Sequence, residues 1–282
     1  MQTIRVQGVN LELERIAAPS ATTSATTSAT TSAAAGERPR APIVFLHEGL
    51  GSVAMWRDWP AAVCRATGRA GIVYSRRGYG GSDPVPDVRA EPAERGGQRI
   101  GRLTPDYMHL EAWEVLPELL RLLEIERPVL LGHSDGASIA LLYASRHPVE
   151  ACVVLAPHVI VEDISVRSIA QARDAYLATD LRARLARYHA DVDCAFWQWN
   201  DIWLDPAFRS FDIRADCERI TAPLLAIQGV DDAYGTMRQI EQIRPSHMTP
   251  MLQKLEHCGH SPHRDQPRRT LQLITEFLAP LG

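Results

Sequence analysis

The sequence predicts an α/β fold in which a mostly parallel central sheet is covered by helices on both faces. Short runs of valine, isoleucine and leucine alternate with stretches whose apolar residues recur at helical spacing. This alternation is typical of βα units, because parallel strands are joined by crossover helices that bury both faces of the sheet. The alternation is interrupted between about 158 and 218, where only helical patterns occur.

The elements follow one another in a regular order. An alternating segment over 2–17 predicts an opening hairpin. Further strands are predicted in APIVFLHEG, in AGIVYSRRGYGGSD and at 128–132, 151–156, 222–230 and 250–257, and helices at 55–69, 104–124, 135–146, 234–244 and 267–278. Most of the later strands are short and apolar, which is typical of strands buried on both faces.

Two segments depart from this pattern. The stretch SATTSATTSATTSAAAGERPR repeats an Ala/Thr/Ser unit without large apolar residues, so residues 20–40 are predicted to form a mobile surface insertion. The helical block at 158–218 follows the sixth predicted strand and carries a cluster of tryptophans and phenylalanines. We expect it to form a helical cap over the carboxyl edge of the sheet, where open α/β sheets bind ligands. The core would then comprise residues 1–157 and 219–282.

A short motif lies at the junction of a predicted strand and helix. Residues 132–136 read Gly-His-Ser-Asp-Gly, which fits the pattern G-x-S-x-G. Small flanking residues allow the serine to adopt a strained backbone conformation, with its hydroxyl exposed and the N–H groups of the helix facing a developing anion. Ser134 is therefore the candidate nucleophile, and an ordinary tight strand-to-helix turn is the alternative interpretation.

A serine hydroxyl is a poor nucleophile without a base, and the base needs an orienting carboxylate. Asp231 and Asp232 follow the strand at 222–230, and His260 follows the last strand. These positions give the order Ser, acid, His that accompanies this serine motif. We expect His260 to act as the base and Asp232, the fourth residue of G-x-x-D, to orient it, with Asp231 as the alternative.

Other histidines compete for the role of base. His257 is expected within the last strand, and His263 lies further along the loop. His260 follows Gly259 in a turn that is free to approach the serine, and it is favoured over both. His47 is expected to brace its own loop.

The remaining site residues are expected around the reacting carbonyl. Two backbone N–H groups should bind the oxyanion. One belongs to Asp135, and the other to Gly49, or to Leu50, in the loop FLHEGLGS. Substrate contacts are expected from Glu48, Leu50, His158 and Trp199.

Two carboxylates near the site allow two interpretations. Asp135 and Glu48 could bind a cationic group of the substrate, such as an α-amine. Alternatively, they bind neighbouring N–H groups or an internal arginine such as Arg76 or Arg77, because an unpaired buried charge costs several kcal/mol.

Composition excludes several classes of protein. A net charge of −4 argues against a nucleic-acid partner. No apolar run approaches the roughly 18 residues of a membrane helix, and the first residues lack the apolar region of a signal peptide. We therefore expect a cytoplasmic protein that acts on a small molecule, away from membranes, with no metal or organic cofactor.

The chain resembles the α/β-hydrolase superfamily over nearly its whole length, apart from the insertion. The resemblance rests on HEGLGS, SRRGYGGSD, GHSDGAS, QGVDD and GHSP. It is most similar to the capped esterase-like branch, including valacyclovir-hydrolase-like proteins, which also carry Ser-Asp-Gly at the turn. In this chain Glu48 follows His47 where most relatives have glycine, which leaves the second oxyanion donor open. Ser75 stands where relatives often have aspartate.

The resemblance implies a serine hydrolase that cleaves a small carboxylic ester or thioester through an acyl-enzyme. One alternative is hydrolysis of a C–C bond or an enol-lactone by the same triad. Another is a catalytically idle hydrolase fold that serves as a binding protein, against which the intact Ser134, Asp232 and His260 argue.

Overall fold

A computed structural model describes residues 2–19 and 40–281. Its strands are β1 (Gln2–Val6), β2 (Val9–Ile16), β3 (Ile43–Leu46), β4 (Gly71–Tyr74), β5 (Ala93–Arg95), β6 (Gln98–Ile100), β7 (Val129–His133), β8 (Ala151–Leu155), β9 (Leu224–Gly229) and β10 (Met251–Leu255). Eight of them form one sheet in the order β1-β2-β4-β3-β7-β8-β9-β10. Strand β2 runs antiparallel to β1 and β4, and all pairs from β4 to β10 are parallel. The predicted α/β fold with a mostly parallel sheet is confirmed.

The helices connect these strands and cover the sheet. They are α1 (Trp59–Thr67), α2 (Tyr107–Leu110), α3 (Leu116–Leu122), α4 (Asp135–Ala144), α5 (Asp163–Ala178), α6 (Leu181–Leu185), α7 (Val192–Leu204), α8 (Arg214–Cys217), α9 (Arg238–Glu241), α10 (Pro262–Asp265) and α11 (Pro267–Leu278). A π-helical turn, Glu111–Val115, joins α2 to α3. Single 3₁₀ turns occupy Ala54–Trp56 and Pro206–Ser210.

Buried apolar side chains form the core on both faces of the sheet. Successive side chains of a strand point to opposite faces. Phe45 of β3 therefore packs in one buried cluster with Val63 of α1 and Leu273 of α11. The next residue, Leu46, packs in the other cluster with Ile139 of α4. Helices on both faces explain why the central strands are apolar at most positions.

The hairpin of β5 and β6 was not predicted from the sequence. Its strands are largely polar and pair outside the main sheet. They are joined by Gly96 and Gly97, both with positive φ (61° and 76°). A Gly-Gly pair suits a two-residue hairpin turn, because both central positions need φ above zero. The Gly-Gly pair is the one feature of the sequence that indicates this hairpin.

Three other predictions differ from the structure or lie outside it. The helix predicted at 234–244 is limited to α9, and the last strand ends at Leu255. Residues 20–39 lie outside the described residues, so the predicted insertion stays a prediction. Between β8 and β9 the chain forms α5 to α8. The division into a core and a cap at 158 and 218 stays a prediction.

Candidate active site

Ser134 lies at the sharp turn between β7 and α4. Its φ of 53° and ψ of −119° fall in a region that residues other than glycine rarely adopt. The Ser134 N–H donates to the carbonyl of Leu155 in β8, at 2.9 Å. Strained backbone of this kind persists only where the surrounding structure enforces it, and it is common at functional sites.

The two glycines of the motif are required by close packing. A Cβ on Gly132 would lie 2.2 Å from the carbonyl oxygen of Gly136. A Cβ on Gly136 would lie 2.1 Å from the carbonyl oxygen of Leu46 in β3. Any larger residue would push the start of α4 away from β7 and β3, so the glycines hold Ser134 in its turn.

The structure brings Ser134, His260 and Asp232 into one hydrogen-bonded chain. The Nε2 atom of His260 lies 2.9 Å from Ser134 Oγ. The Nδ1 atom of the same ring lies 2.8 Å from Asp232 Oδ2 and 3.0 Å from Oδ1. Because Nδ1 faces a carboxylate, it carries the proton, and Nε2 is left to accept the proton of the serine hydroxyl.

Asp232 is buried and accepts hydrogen bonds from several elements. The N–H of Tyr234 donates to Oδ1 and the amide of Gln228 donates to Oδ2, each at 2.7 Å. Burial alone would raise the pKa of Asp232, but the hydrogen bond and charge of His260 outweigh it and hold the pKa below its ordinary value. Asp231 is exposed, and its N–H donates to Cys258. The structure therefore brings Asp232, and not Asp231, to the imidazole.

The competing histidines lie elsewhere. The prediction that His257 lies within the last strand is wrong, because that strand ends at Leu255. His257 lies in the exposed turn after β10, with φ of 54°. His263 is buried in α10, and its ring lies 5.0 Å from that of Trp56 and 4.8 Å from that of His133. Both histidines make their contacts away from Ser134.

The loop after β3, which carries the candidate oxyanion donor Gly49, is held in place by Arg76. The guanidinium of Arg76 donates to the carbonyls of His47 (2.6 Å) and Glu48 (3.1 Å), and the N–H of Arg76 donates to Nε2 of His47 (3.0 Å). Burial and the charge of Arg76 lower the pKa of His47 well below its ordinary value, so His47 is neutral and braces the loop. Among the described residues, the N–H groups of Gly49 and Asp135 have no hydrogen-bond partner, which leaves them available to an oxyanion.

The carboxylate of Asp135 is engaged inside the protein. Its Oδ2 atom accepts a hydrogen bond from the hydroxyl of Tyr107 at 2.7 Å and lies 3.9 Å from the guanidinium of Arg76. Burial raises the pKa of Asp135, although Arg76 and Tyr107 act in the opposite direction. This arrangement matches the internal pairing that was the alternative to a substrate cation.

Glu48 also has internal partners. Its carboxylate lies 3.0 Å from the guanidinium of Arg264 and 3.4 Å from Nδ1 of His133. The opposite ring nitrogen of His133 donates to the carbonyl of His260 at 2.7 Å. Burial would raise the pKa of Glu48, but His133 and Arg264 hold it well below its ordinary value. Glu48 thus links the oxyanion loop to the segment that carries His260.

Two of the predicted pocket residues lie close to the triad or to the oxyanion loop. The indole of Trp199 in α7 lies directly on Gly49, since a Cβ on that glycine would be 2.2 Å from the ring. The ring of His158 lies 4.8 Å from Trp203 and 5.6 Å from His260. Burial lowers the pKa of His158 to about 3, so this ring is neutral at pH 7. Ser134 itself is only 5% exposed.

Leu50 is held through its backbone. Its carbonyl accepts a hydrogen bond from Nε2 of His189, at 3.1 Å. The Nδ1 atom of His189 accepts from the N–H of Gly80 at 3.0 Å. One neutral histidine between α6 and α7 therefore joins the oxyanion loop to the loop after β4.

Several supporting residues were not found from the sequence. Tyr107 lies 28 positions before Asp135, and Arg264 lies 216 positions after Glu48. Gln228 belongs to β9, and nothing in the strand pattern indicates that its side chain binds Asp232. No local pattern connects such distant positions, so only the folded structure identifies them.

The fold, with a serine at a strand-to-helix turn and a histidine and an aspartate after later strands, defines an α/β-type hydrolase. Residues 43–273 match the alpha/beta hydrolase family, and the chain belongs to that family. The sn-1-specific diacylglycerol lipase ABHD11 of Mus musculus is 25% identical over 276 residues, which cover 86% of this chain and 83% of that protein.

Solved structures share the fold over nearly the whole chain. A meta-cleavage product hydrolase from Pseudomonas fluorescens IP01 has a TM-score of 0.70 at 18% identity, covering 100% of this chain and 98% of the other. The enol-lactonase from Burkholderia xenovorans LB400 has a TM-score of 0.66 at 18% identity, covering 99% of this chain and 100% of the other.

None of the helices in the described part of the chain has the length and apolar character needed to span a bilayer. The cytoplasm stays a prediction from the sequence.

Proposed function

We propose that the protein is a serine hydrolase that cleaves a small carboxylic ester or thioester through an acyl-enzyme. The observation that carries the proposal is the chain of hydrogen bonds from Ser134 Oγ to His260 Nε2 (2.9 Å) and from Nδ1 to Asp232 (2.8 Å). This is the arrangement that activates a serine hydroxyl by general-base catalysis.

The proposed reaction has two halves. Ser134 Oγ attacks the carbonyl carbon while its proton moves to His260, whose imidazolium is stabilised by Asp232. The carbonyl oxygen becomes an oxyanion, which accepts hydrogen bonds from the N–H groups of Asp135 and Gly49. The intermediate expels the alcohol or thiol, which takes the proton from His260. Water then loses a proton to His260 and attacks the acyl carbon. The bond from that carbon to Ser134 Oγ breaks, Oγ takes the proton back from His260, and the carboxylic acid is released.

Two features favour a small acyl group and an ester bond. Trp199 lies directly on Gly49, which leaves little room above the oxyanion loop. The mouse relative is named as a lipase of diacylglycerol, whose cleaved bond is a carboxylic ester. The enol-lactonase shares only the fold with this chain, and its name also describes hydrolysis of an ester-type bond.

A second reaction on the same triad is hydrolysis of a C–C bond. The solved structure with a TM-score of 0.70 is named a meta-cleavage product hydrolase, which motivates this alternative, but its 18% identity shows only the fold. Membership of a hydrolase family disfavours the idle binding protein.

A substrate panel tests the proposal. Purified full-length protein would be assayed with p-nitrophenyl acetate, butyrate and decanoate, with a butyryl thioester and with a ketodienoate. We expect turnover of the short esters, an initial burst no larger than one equivalent per chain, and little cleavage of the ketodienoate. Cleavage of the ketodienoate without turnover of any ester would replace the proposal by C–C bond hydrolysis.

A further inference from the structure

A cavity lies away from the triad. It has a volume of about 540 Å³ and lies among the opening hairpin, the hairpin of β5 and β6, the π-helical turn and the loop after β4. We call it the hairpin cavity. Ser134, Asp232 and His260 do not line it. Its size lies within the range of roughly 300–1,000 Å³ that is typical of small-molecule sites.

The walls of the hairpin cavity combine apolar and cationic side chains. Val9, Leu11 and Leu103 contribute apolar surface. Arg77 reaches the cavity from the loop after β4, and Arg99 reaches it from β6. A site of this composition suits a ligand with an apolar body and a charged end.

Arg77 and Arg99 form no ion pair in the part of the chain that the structure describes. No carboxylate among the described residues lies within 4.0 Å of the guanidinium of Arg77 or Arg99. The Nε atom of Arg77 is buried and makes no hydrogen bond. Arg76, by contrast, donates to two carbonyls of the oxyanion loop.

The acidic residues that line the cavity do not form ion pairs with either arginine. Glu111 accepts a hydrogen bond from the hydroxyl of Tyr74 at 2.7 Å. Glu94 and Glu114 are exposed to solvent. All three line the cavity, yet each lies more than 4.0 Å from both guanidinium groups.

Burial disfavours the charged forms of both Arg77 and Arg99, and repulsion between the two charges also affects Arg99. Burial lowers the pKa of Arg99 and the positive charge of Arg77 lowers it further, while Tyr79 and Glu111 act in the opposite direction. Burial also lowers the pKa of Arg77. A bound anion would relieve both effects, because a partly desolvated charge is stabilised by an opposite charge at short range.

We propose that the hairpin cavity binds an organic anion with an apolar body, whose carboxylate or phosphate lies between Arg77 and Arg99. Guanidinium groups bind both kinds of head group through paired hydrogen bonds. The apolar body lies against Val9, Leu11 and Leu103. The site is separate from the hydrolytic site and has its own ligand.

The helix that borders the cavity has an irregularity consistent with this role. Glu111, Glu114 and Val115 all line the cavity and all belong to the π-helical turn. Such turns are rare and occur frequently at functional sites.

Calorimetric titration tests the proposal. The full-length protein would first be treated with a fluorophosphonate to block Ser134, so that binding at the hydrolytic site is excluded. Octanoate, octyl phosphate and octanol would then be titrated separately. Saturable binding of octanoate identifies a carboxylate ligand, and saturable binding of octyl phosphate alone identifies a phosphate ligand. We expect octanol to bind at least about tenfold more weakly than the better anion.

Substitutions of the two arginines, with a matched control, test whether the anion binds between them. Arg99→Gln and Arg77→Gln should each weaken binding of the better anion at least about tenfold. Arg95→Gln is the control, because Arg95 is exposed on the same hairpin and does not line the cavity. If Arg77→Gln lowers the thermal midpoint strongly, the affinity measured with Arg99→Gln decides whether the arginines bind the anion. Unchanged affinity in Arg99→Gln, equal binding of octanol, or no saturable binding of either anion would overturn the proposal. Because Arg77 and Arg99 line a cavity that the proposed triad does not line, a failure of this proposal is distinguishable from a failure of the proposed hydrolysis.

Discussion

The proposed triad and the hairpin cavity are two regions of one molecule whose charged side chains differ in whether they have partners within the described residues. Asp232 accepts hydrogen bonds from His260, Tyr234 and Gln228. Arg77 and Arg99 face their cavity without a carboxylate partner among the described residues. A catalytic group must be oriented before the substrate arrives, so its partners belong to the protein. A group that recognises a charged ligand remains available for that ligand.

The two regions meet at Arg76 and Tyr107. Both side chains line the hairpin cavity. Arg76 also holds the oxyanion loop, and Tyr107 holds the carboxylate of Asp135, the residue after the nucleophile. Variants of Ser134 and Asp232 therefore test the chemistry of the triad. A variant of Asp135 tests the packing at the boundary between the two regions.

The largest expected effect concerns the nucleophile. Ser134→Ala should lower kcat by roughly four to six orders of magnitude, because removing a triad nucleophile eliminates the covalent route. Thermal stability should change little, since only a hydroxyl is lost. Ser145→Ala is the control, because its hydroxyl donates to Leu142 near the far end of α4. Steady-state ester hydrolysis measures both, and a Ser134→Ala protein that keeps most of its activity would contradict the triad.

The next effect distinguishes the two neighbouring aspartates. Asp232→Asn should lower kcat by roughly 10⁴-fold, because an amide no longer holds the imidazole in the reactive tautomer. Asp231→Asn should leave kcat nearly unchanged, since Asp231 is exposed and makes no contact with His260. The same kinetic assay compares them, and the reverse ranking would transfer the role of acid to Asp231.

Stability should fall as the pH drops from 7 to 5. Burial lowers the pKa of His158 to about 3 and that of His47 well below its ordinary value. In the unfolded chain both rings titrate near 6.5, so the unfolded state takes up protons first. The stability gained from neutral rings is complete above about pH 6.5 and declines as pH falls toward the folded pKa. His158 should account for a loss of about 2 kcal/mol at pH 5, and His47 acts in the same direction.

Urea unfolding at pH 7 and pH 5 measures this loss. His158→Gln removes one titrating ring, so the difference in unfolding free energy between the two pH values should shrink by about 2 kcal/mol. An unchanged difference would mean that His158 takes up no proton on unfolding in this range.

The smallest effect tests the boundary between the regions. Asp135→Asn should slow hydrolysis of an amino-acid ester and of its des-amino analogue by the same factor, of about ten or less. The reason is that the carboxylate binds Tyr107 and lies near Arg76. A selective loss on the amino-acid ester would show that Asp135 recognises the substrate's amine.

The parts of the site that follow from local backbone rules could be predicted from the sequence. Gly132 and Gly136 mark a turn that only small residues permit, and His260 follows the end of a recognisable strand. Asp231 and Asp232 could not be separated with certainty, because the orientation of adjacent side chains in a loop depends on remote contacts.

Residues brought together from distant parts of the chain could not be predicted at all. Arg77 and Arg99 come from a loop and a polar hairpin that carry no common pattern. The pairing of Glu48 with Arg264 spans 216 positions. Periodicity reports which face of an element is buried, but not which distant side chain meets it.

Covalent labelling of the serine is the most direct test of the central claim that Ser134 is the activated nucleophile. Full-length protein would be treated with a fluorophosphonate and followed by intact mass and peptide mapping. One adduct per chain is expected, on the peptide that carries Ser134, with no adduct in Ser134→Ala and much slower labelling in His260→Ala. An adduct on another residue, or labelling of Ser134→Ala at the rate of the unaltered protein, would contradict the claim.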